Sequence, residues 1–376
     1  MRIAVNARHM MQDRLEGIGT VTHEIMQRIV KTHSEDRFDY YFDRPYDNRF
    51  VHGPNVMPHV FGPPARLPAL IRYWNKYPVQ RDVKLRKSDV FYSPDGFVPL
   101  KMKIPKVSVV HDVAFYRYPE YFVPRIRNFY KKWMHVYLEH TDHIITVSQF
   151  SKDELINAYQ IPADKISVVH NGVSSGYVPF DAQKIQSFRD THTQGKPYFF
   201  YLGAIHPRKN VITLIRAFEL FKSMNRNDHQ LVLAGRASWD ADDVFKAVEQ
   251  SKWKDNIHMP GFVNRDDTKA WMASAGALIY PSLYEGFGLP LLEGMSSGVP
   301  VISSNSSSLP EVGGDAALYF NPLDAEQLAQ HMDTLVFNIK LREDLIVKGY
   351  DQIKLFSWEK AAIQTYGILS KSILRK

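Results

Sequence analysis

Glu285 and Glu293 stand eight positions apart, with Gly286, Phe287, Gly288, Leu289 and Pro290 between them. Just before them Ala277–Tyr280 is an uninterrupted apolar run, the pattern of a buried strand. Pro290 suits the start of a helix and Gly298 its exit, and Val299–Ser303 reads as the next strand. The two carboxylates therefore bracket a strand–loop–helix turn, with Glu285 expected on the loop and Glu293 in the first helical turn. Gly286 and Gly288 let backbone approach a ligand closely, and the free N–H groups of such a loop bind polyol oxygens or an anion. The plainer alternative is a helix start whose acidic residues are favoured by the macrodipole.

Cations are expected on the same edge. Gly203, Arg208, Lys209 and Asn210 follow the apolar run Tyr198–Leu202, and Gly235 and Arg236 follow Gln230–Ala234. In an open α/β sheet ligands bind beyond the carboxyl ends of the strands. These positive residues and the two glutamates thus converge into a site for a ligand with a diphosphate part and a polyol part. Asn210 reads as the N-cap of the helix beginning at Val211. Arg208 and Lys209 beside that N-terminus oppose the macrodipole, which suits an anion better than it suits the helix; a solvated basic turn is the alternative. His111, in Val109-Val110-His111-Asp112, ends another buried strand and has a structural reading as well as a functional one. Asp240-Ala241-Asp242 has the letters of a metal-binding Asp-x-Asp, but it opens a helical pattern and reads better as a cap, so no metal site is expected. A diphosphate neutralised by Arg208, Lys209 and a helix N-terminus needs no Mg²⁺. Gly17-Ile18-Gly19 lies in a loop ahead of a helical pattern; Thr22 stands where a dinucleotide fingerprint needs its third glycine, which excludes that cofactor site.

The elements that must hold these residues form two series. Apolar runs at Arg2–Asn6, Phe38–Phe42, Val56–Val60, Val90–Tyr92, Lys106–Asp112, Asp142–Val147 and Ile166–Val169 alternate with helical patterns, then residues 173–196 read as a linker. The series restarts at Tyr198–Leu202 and continues through Gln230–Ala234, Ile257–Met259, Ala277–Tyr280, Val299–Ser303 and Ala317–Phe320. This predicts two doubly wound, Rossmann-like α/β domains. The chain has 376 residues and no cysteine, so a disulfide framework and thiolate metal sites are excluded. No apolar run approaches the ~20 residues of a membrane span, and the opening MRIAVNARHM starts directly as a strand, which reads as a cytoplasmic protein. The net charge of +7 lies wholly in residues 1–180, which hold 25 Lys and Arg against 18 Asp and Glu. Two stretches there, 65–89 and 117–140, interleave basic residues with Trp, Tyr and Phe. An anionic membrane surface is the expected partner, rather than nucleic acid, for which no motif is present; half-buried helices with a solvated basic face are the alternative.

The E-x7-E spacing around G-F-G-L-P resembles the signature of retaining glycosyltransferases of family 4, which have the GT-B fold. G-I-G, V-V-H-D, V-S-Q-F-S, H-N-G-V and P-R-K-N follow the family's order along nearly the whole chain. Many members carry an arginine after the first glycine of LGAIHPRKN, where this chain has Ala204, and that departure shifts the phosphate load onto Arg208 and Lys209. The resemblance implies two domains facing each other across a cleft: an acceptor-side domain 1–180, to which a final helix 358–376 returns, and a donor domain 181–357. It implies that Glu285 and the N–H groups of Phe287, Gly288 and Leu289 hold sugar hydroxyls and that Glu293 holds a ribose. His111 would face the transferred sugar, and the Gly17–Gly19 loop would lie near donor and acceptor. The expected activity is metal-independent, retaining transfer of a hexose from a nucleotide-diphospho-sugar to a glycan or lipid-linked acceptor, peripheral on the inner face of the plasma membrane. The P-R-K-N form resembles mannosyl-transferring members of polysaccharide and O-antigen assembly, so GDP-mannose is the favoured donor, as substrate rather than cofactor. A sugar-nucleotide epimerase of the same fold and a non-catalytic glycan-binding protein are the rival readings.

Overall fold

A computed structural model describes residues 1–11, 15, 17–224, 227–238 and 240–374. The chain divides into two units, Met1–Gly172 with Ser357–Lys376, and Val173–Phe356. The division falls at residue 172 rather than 180 because the intervening segment is tied to the second unit. Tyr177 is buried there, and its carbonyl accepts the Ser296 hydroxyl at 2.8 Å.

The first unit holds a seven-stranded parallel sheet in the order β3-β2-β1-β4-β5-β6-β7. Its strands are β1 (Arg2–Asn6), β2 (Arg37–Phe42), β3 (Val56–Val60), β4 (Val90–Ser93), β5 (Lys106–Val110), β6 (His143–Thr146) and β7 (Ile166–Val168). The order reverses between β1 and β4, so the loops leaving those two strands border the crevice where such sheets take ligands. The last helix, Trp358–Leu374, belongs to this unit. It packs on the helix Gly17–Thr32, with Arg28 donating to Glu359 at 2.7 Å and the Tyr366 hydroxyl donating to Asp36 at 2.7 Å.

The second unit holds a six-stranded parallel sheet, β10-β9-β8-β11-β12-β13. These are β8 (Tyr198–Leu202), β9 (Gln230–Ala234), β10 (Ile257–Gly261), β11 (Ala277–Tyr280), β12 (Val301–Ser304) and β13 (Ala317–Phe320). Its switch point lies between β8 and β11. Both central strands are buried on both faces, which is why they read as unbroken apolar runs. β12 starts at Val301, after Pro300, whose ring nitrogen has no hydrogen to donate to a ladder while its carbonyl still accepts Leu278 N–H at 2.9 Å. Among the described residues no helix is long and apolar enough to cross a membrane.

Candidate active site

The switch point of the second unit brings the loop after β8 against the loop after β11. The first loop leaves Leu202 through Gly203 and passes under Gly235, whose backbone φ is +152°. A Cβ on Gly235 would lie 1.7 Å from the Gly203 carbonyl oxygen, so only glycine allows the two loops to stack. A single 3₁₀ turn, Pro207–Lys209, follows, and the Arg208 carbonyl accepts Leu283 N–H at 2.9 Å from the facing loop. Asn210 stands directly before the helix Val211–Met224, as the sequence predicts, but not in the extended conformation of a usual N-cap. It takes the left-handed conformation, φ +57°, and its amide nitrogen donates to Pro281 and Pro322 carbonyls at 3.1 and 2.6 Å, stitching three loops together. Its side-chain oxygen accepts the Thr213 hydroxyl instead of a backbone N–H.

This scaffold sets two cations around one buried carboxylate. Lys209 donates its ammonium to Glu285 Oε1, and to the Tyr280 hydroxyl at 3.1 Å. Arg208 Nη1 donates to Glu285 Oε2 at 3.3 Å and to the Tyr284 carbonyl. Glu285 is held from behind as well: its N–H donates to Ser307 Oγ at 2.8 Å, and Ser308 Oγ donates to the Glu285 and Phe287 carbonyls at 3.0 and 2.9 Å. Burial raises the Glu285 pKa, but the Lys209 and Arg208 charges outweigh it and bring it down to about 2. The carboxylate therefore stays ionised near neutral pH and cannot act as a proton donor. Two cations are thus gathered on one buried carboxylate, a concentration of positive charge that suits a ligand anion.

Gly288 caps the following helix at φ +115°, a conformation side chains rarely adopt, and Leu289–Ser296 runs from it. Glu293 is thus in the second turn of that helix, not the first. The helix begins one residue earlier than the sequence predicts, at Leu289 rather than Pro290. Glu293 is buried, but it is not bonded to Glu285. Arg236 is exposed, with its guanidinium 4.3 Å from the centre of the Phe262 ring. Asp240 and Asp242 do not make the expected cap: the helix Asp242–Gln250 has Ala241 at its cap position and no side-chain capping bond. Asp242 and Asp243 lie in its first turn, where the macrodipole favours them.

The first unit has a polar cluster at its own switch point. His111 follows β5, and its Nε2 lies 2.9 Å from the Pro94 carbonyl. A carbonyl only accepts, so Nε2 carries the hydrogen and Nδ1 keeps a lone pair in the neutral ring. Burial pushes its pKa down, which favours that neutral ring. Beside Pro94 is Asp95, a residue the motifs do not single out. Buried after β4, it accepts from Arg8, from His9 Nε2 at 3.0 Å, from Asn6 Nδ2 at 3.0 Å and from Ser93 Oγ at 2.8 Å. Burial raises the Asp95 pKa, and the Arg8 and His9 charges carry it well below the usual carboxylate range. The available signal is positional: polar Asn6-Ala7-Arg8-His9 and Ser93-Pro94-Asp95 each end an apolar strand on either side of the reversal. Gly17 and Gly19 are already helical, in the first turn of Gly17–Thr32, rather than in a loop. A Cβ on Gly19 would lie 2.4 Å from the His9 carbonyl oxygen, so this turn presses directly on the strand end that carries the cluster.

Comparison with known proteins gives the same division. The profile of glycosyl transferases group 1 matches residues 182–352, and that of Glycosyltransferase Family 4 matches residues 15–176. The O-antigen chain mannosyltransferase B of Escherichia coli is 31% identical over 362 residues, covering 93% of this chain and 95% of that protein. Among solved structures, sucrose-phosphate synthase from Thermosynechococcus elongatus superposes with a TM-score of 0.79 at 16% identity, over 100% of both chains. Anabaena HepE in complex with UDP and glucose superposes with a TM-score of 0.75 at 17% identity, over 98% of this chain and 99% of that one. Two parallel α/β sheets matching such chains end to end are the GT-B fold.

Proposed function

The chain belongs to the glycosyltransferases of group 1 and family 4, and from that premise we propose that it transfers mannose from GDP-mannose to a lipid-linked glycan of the O-antigen type, with retention and without a metal. The observation that carries the reading is the Arg208–Lys209–Glu285 cluster at the switch point, where two cations are held on one buried carboxylate. A relative named as an O-antigen mannosyltransferase supports the sugar and the acceptor class, and a neighbour bound to UDP and glucose supports a nucleotide-linked donor. The rival readings, an epimerase or a glycan-binding module, find no such relative in the matches above.

On this reading the donor diphosphate displaces the Glu285 carboxylate from Lys209 and Arg208. The two cations then take up the charge that develops as the glycosidic bond breaks. The freed carboxylate turns to the sugar, whose ring becomes oxocarbenium-like and positive. Glu285, anionic and aimed at cations, is an electrostatic stabiliser; no side chain of the cluster is set as a nucleophile. Attack of the acceptor hydroxyl from the face the diphosphate leaves, its proton passing to the departing diphosphate oxygen, gives retention.

Metal independence follows from those same cations. Transfer should persist in EDTA; complete loss restored by Mg²⁺ or Mn²⁺ would assign the phosphate charge to a metal instead. Glu293, one helical turn beyond the loop, holds the unreacting ribose. Glu293→Gln should then raise the donor KM roughly 10-fold with kcat nearly unchanged, as expected when binding is equal in ground and transition states. Steady-state kinetics against donor concentration checks this, and a fall in kcat at constant KM would move Glu293 into the chemistry.

The first unit, with 29 Lys and Arg against 19 Asp and Glu, carries the whole positive excess, and we place its basic aromatic stretches against the anionic inner face of the plasma membrane. The exposure of Tyr73 and Tyr77 among Arg72, Lys76, Arg81 and Lys84 supports this. The protein should cosediment with anionic vesicles, less so as salt rises, and equal binding to neutral vesicles would remove the idea.

A further inference from the structure

The Lys209–Glu285 pair has a third member, Tyr280, the last residue of β11. Its ring is buried, and Lys209 Nζ lies 3.1 Å from its hydroxyl oxygen. An ammonium only donates, so the phenol oxygen accepts from Lys209 and the phenol's own hydrogen goes to the Glu285 carboxylate. Lys209 also donates to Glu285 directly, which closes a ring of three hydrogen bonds. Burial and the Glu285 charge both push the Tyr280 pKa well above its ordinary value, so the phenol is neutral and keeps its hydrogen.

The three members differ in how easily they leave. Lys209 and Arg208 stand on a single 3₁₀ turn, carry long flexible side chains, and are drawn to any anion that competes with Glu285. Tyr280 is a stiff ring fixed at the end of a central strand, and its neutral hydroxyl gains little from turning to a new charge. A carboxylate has two oxygens, so one can stay on the phenol while the other faces a new group. The Ser282 hydroxyl, fully buried, lies against the carboxylate as well.

We propose that Tyr280 is a positioning residue for sugar transfer: its hydroxyl keeps Glu285 aimed at the sugar after Lys209 and Arg208 have turned to the donor diphosphate. This rests on the exchange of partners proposed for the cluster and adds the group that survives it. No bond forms or breaks at Tyr280, which holds its hydrogen throughout.

Tyr280→Phe removes one oxygen and keeps the ring. At saturating donor kcat should fall about 10-fold, the rate equivalent of ~1.4 kcal/mol and the size of one hydrogen bond lost from a charged group that Ser282 still holds. GDP has the diphosphate without the sugar, so calorimetry should give it the same affinity for the variant as for wild type, and that binding also shows that the variant is folded. The acid limb of the kcat profile separates positioning from packing. Lys209 and Arg208 from the 3₁₀ turn, Tyr280 from β11 and Tyr201 from β8 are the titratable groups that face Glu285. In the donor complex the two cations serve the phosphates, and Tyr201 is neutral with its hydrogen on the Ala204 carbonyl at 2.8 Å. A donor to a carboxylate lowers its pKa, so loss of the Tyr280 hydroxyl raises that of Glu285 and should move the acid limb to higher pH. Wild-type kcat in Tyr280→Phe, a fall in kcat with the acid limb unmoved, or a matching loss of GDP affinity would each overturn the proposal and leave transfer at the cluster standing. A wild-type chain that transfers no sugar would remove the transfer reading and this one with it.

Discussion

Glu285→Gln should lower kcat by about 10²–10³-fold, the usual loss when one electrostatic contact to a developing charge is removed. The amide keeps the shape of the carboxylate and its bonds to Ser307 and Ser308 pass through the backbone, so the loop should keep its path. What changes is charge. On the proposed reaction the sugar loses the anion beside its positive centre, and Arg208 and Lys209 both lose the carboxylate they share. Breaking a buried pair this way costs up to ~3–5 kcal/mol, so the empty variant should also unfold at lower temperature. The pH dependence has a definite sign. A carboxylate held at about 2 contributes stability above its ordinary value of 4.5 and loses it as pH falls toward 2, and the glutamine variant lacks that component. Kinetics at saturating donor, with unfolding followed from neutral to acid pH, checks both effects. A variant with wild-type kcat would show that the transferred sugar does not sit against Glu285.

Lys209→Met should be the more severe lesion, lowering kcat/KM by roughly 10³-fold or more. The ammonium serves both Glu285 and the Tyr280 hydroxyl, and Arg208 alone, at 3.3 Å from the carboxylate, cannot replace it. On the proposed reaction Lys209 also takes diphosphate charge, so donor affinity and the chemical step fail together. Stability separates the two roles. Each single variant breaks the Lys209–Glu285 pair and leaves the remaining buried charge without that contact, whereas Lys209→Met combined with Glu285→Gln removes both charges together. The double variant should therefore be more stable than the sum of the two single losses predicts, by the logic of a double-mutant cycle. Strict additivity would mean that the pair does not couple, and the arrangement of the cluster would need another explanation.

The sheets were legible in the sequence because parallel strands buried on both faces leave continuous apolar runs; Tyr198–Leu202 and Ala277–Tyr280 could be placed from them directly. Arg208, Lys209 and Glu285 were legible as a convergence for the same reason, since a strand end fixes where its loop must emerge. Capping details were not. Asn210 and Gly288 take positive φ values beside the Pro281, Pro322 and Leu309 contacts of distant loops, so the Asn210 side chain is turned to those loops and Glu293 falls in the second helical turn. The Asp95 cluster joins Asn6, Arg8 and His9 to a residue more than eighty positions away, and nothing in the local pattern of either segment announces the pairing.

The central claim is that the Arg208–Lys209–Glu285 cluster holds a sugar-nucleotide diphosphate. Thermal unfolding of the wild-type chain and of Lys209→Met, each with GDP-mannose over a range of concentrations, tests it most directly. A ligand at 100 times its dissociation constant adds ~2.7 kcal/mol to the stability of the state that binds it. The wild-type chain should show that rise and Lys209→Met should lose most of it. A wild-type chain whose unfolding temperature does not respond to GDP-mannose, or a Lys209→Met chain that responds as fully as wild type, would contradict the account.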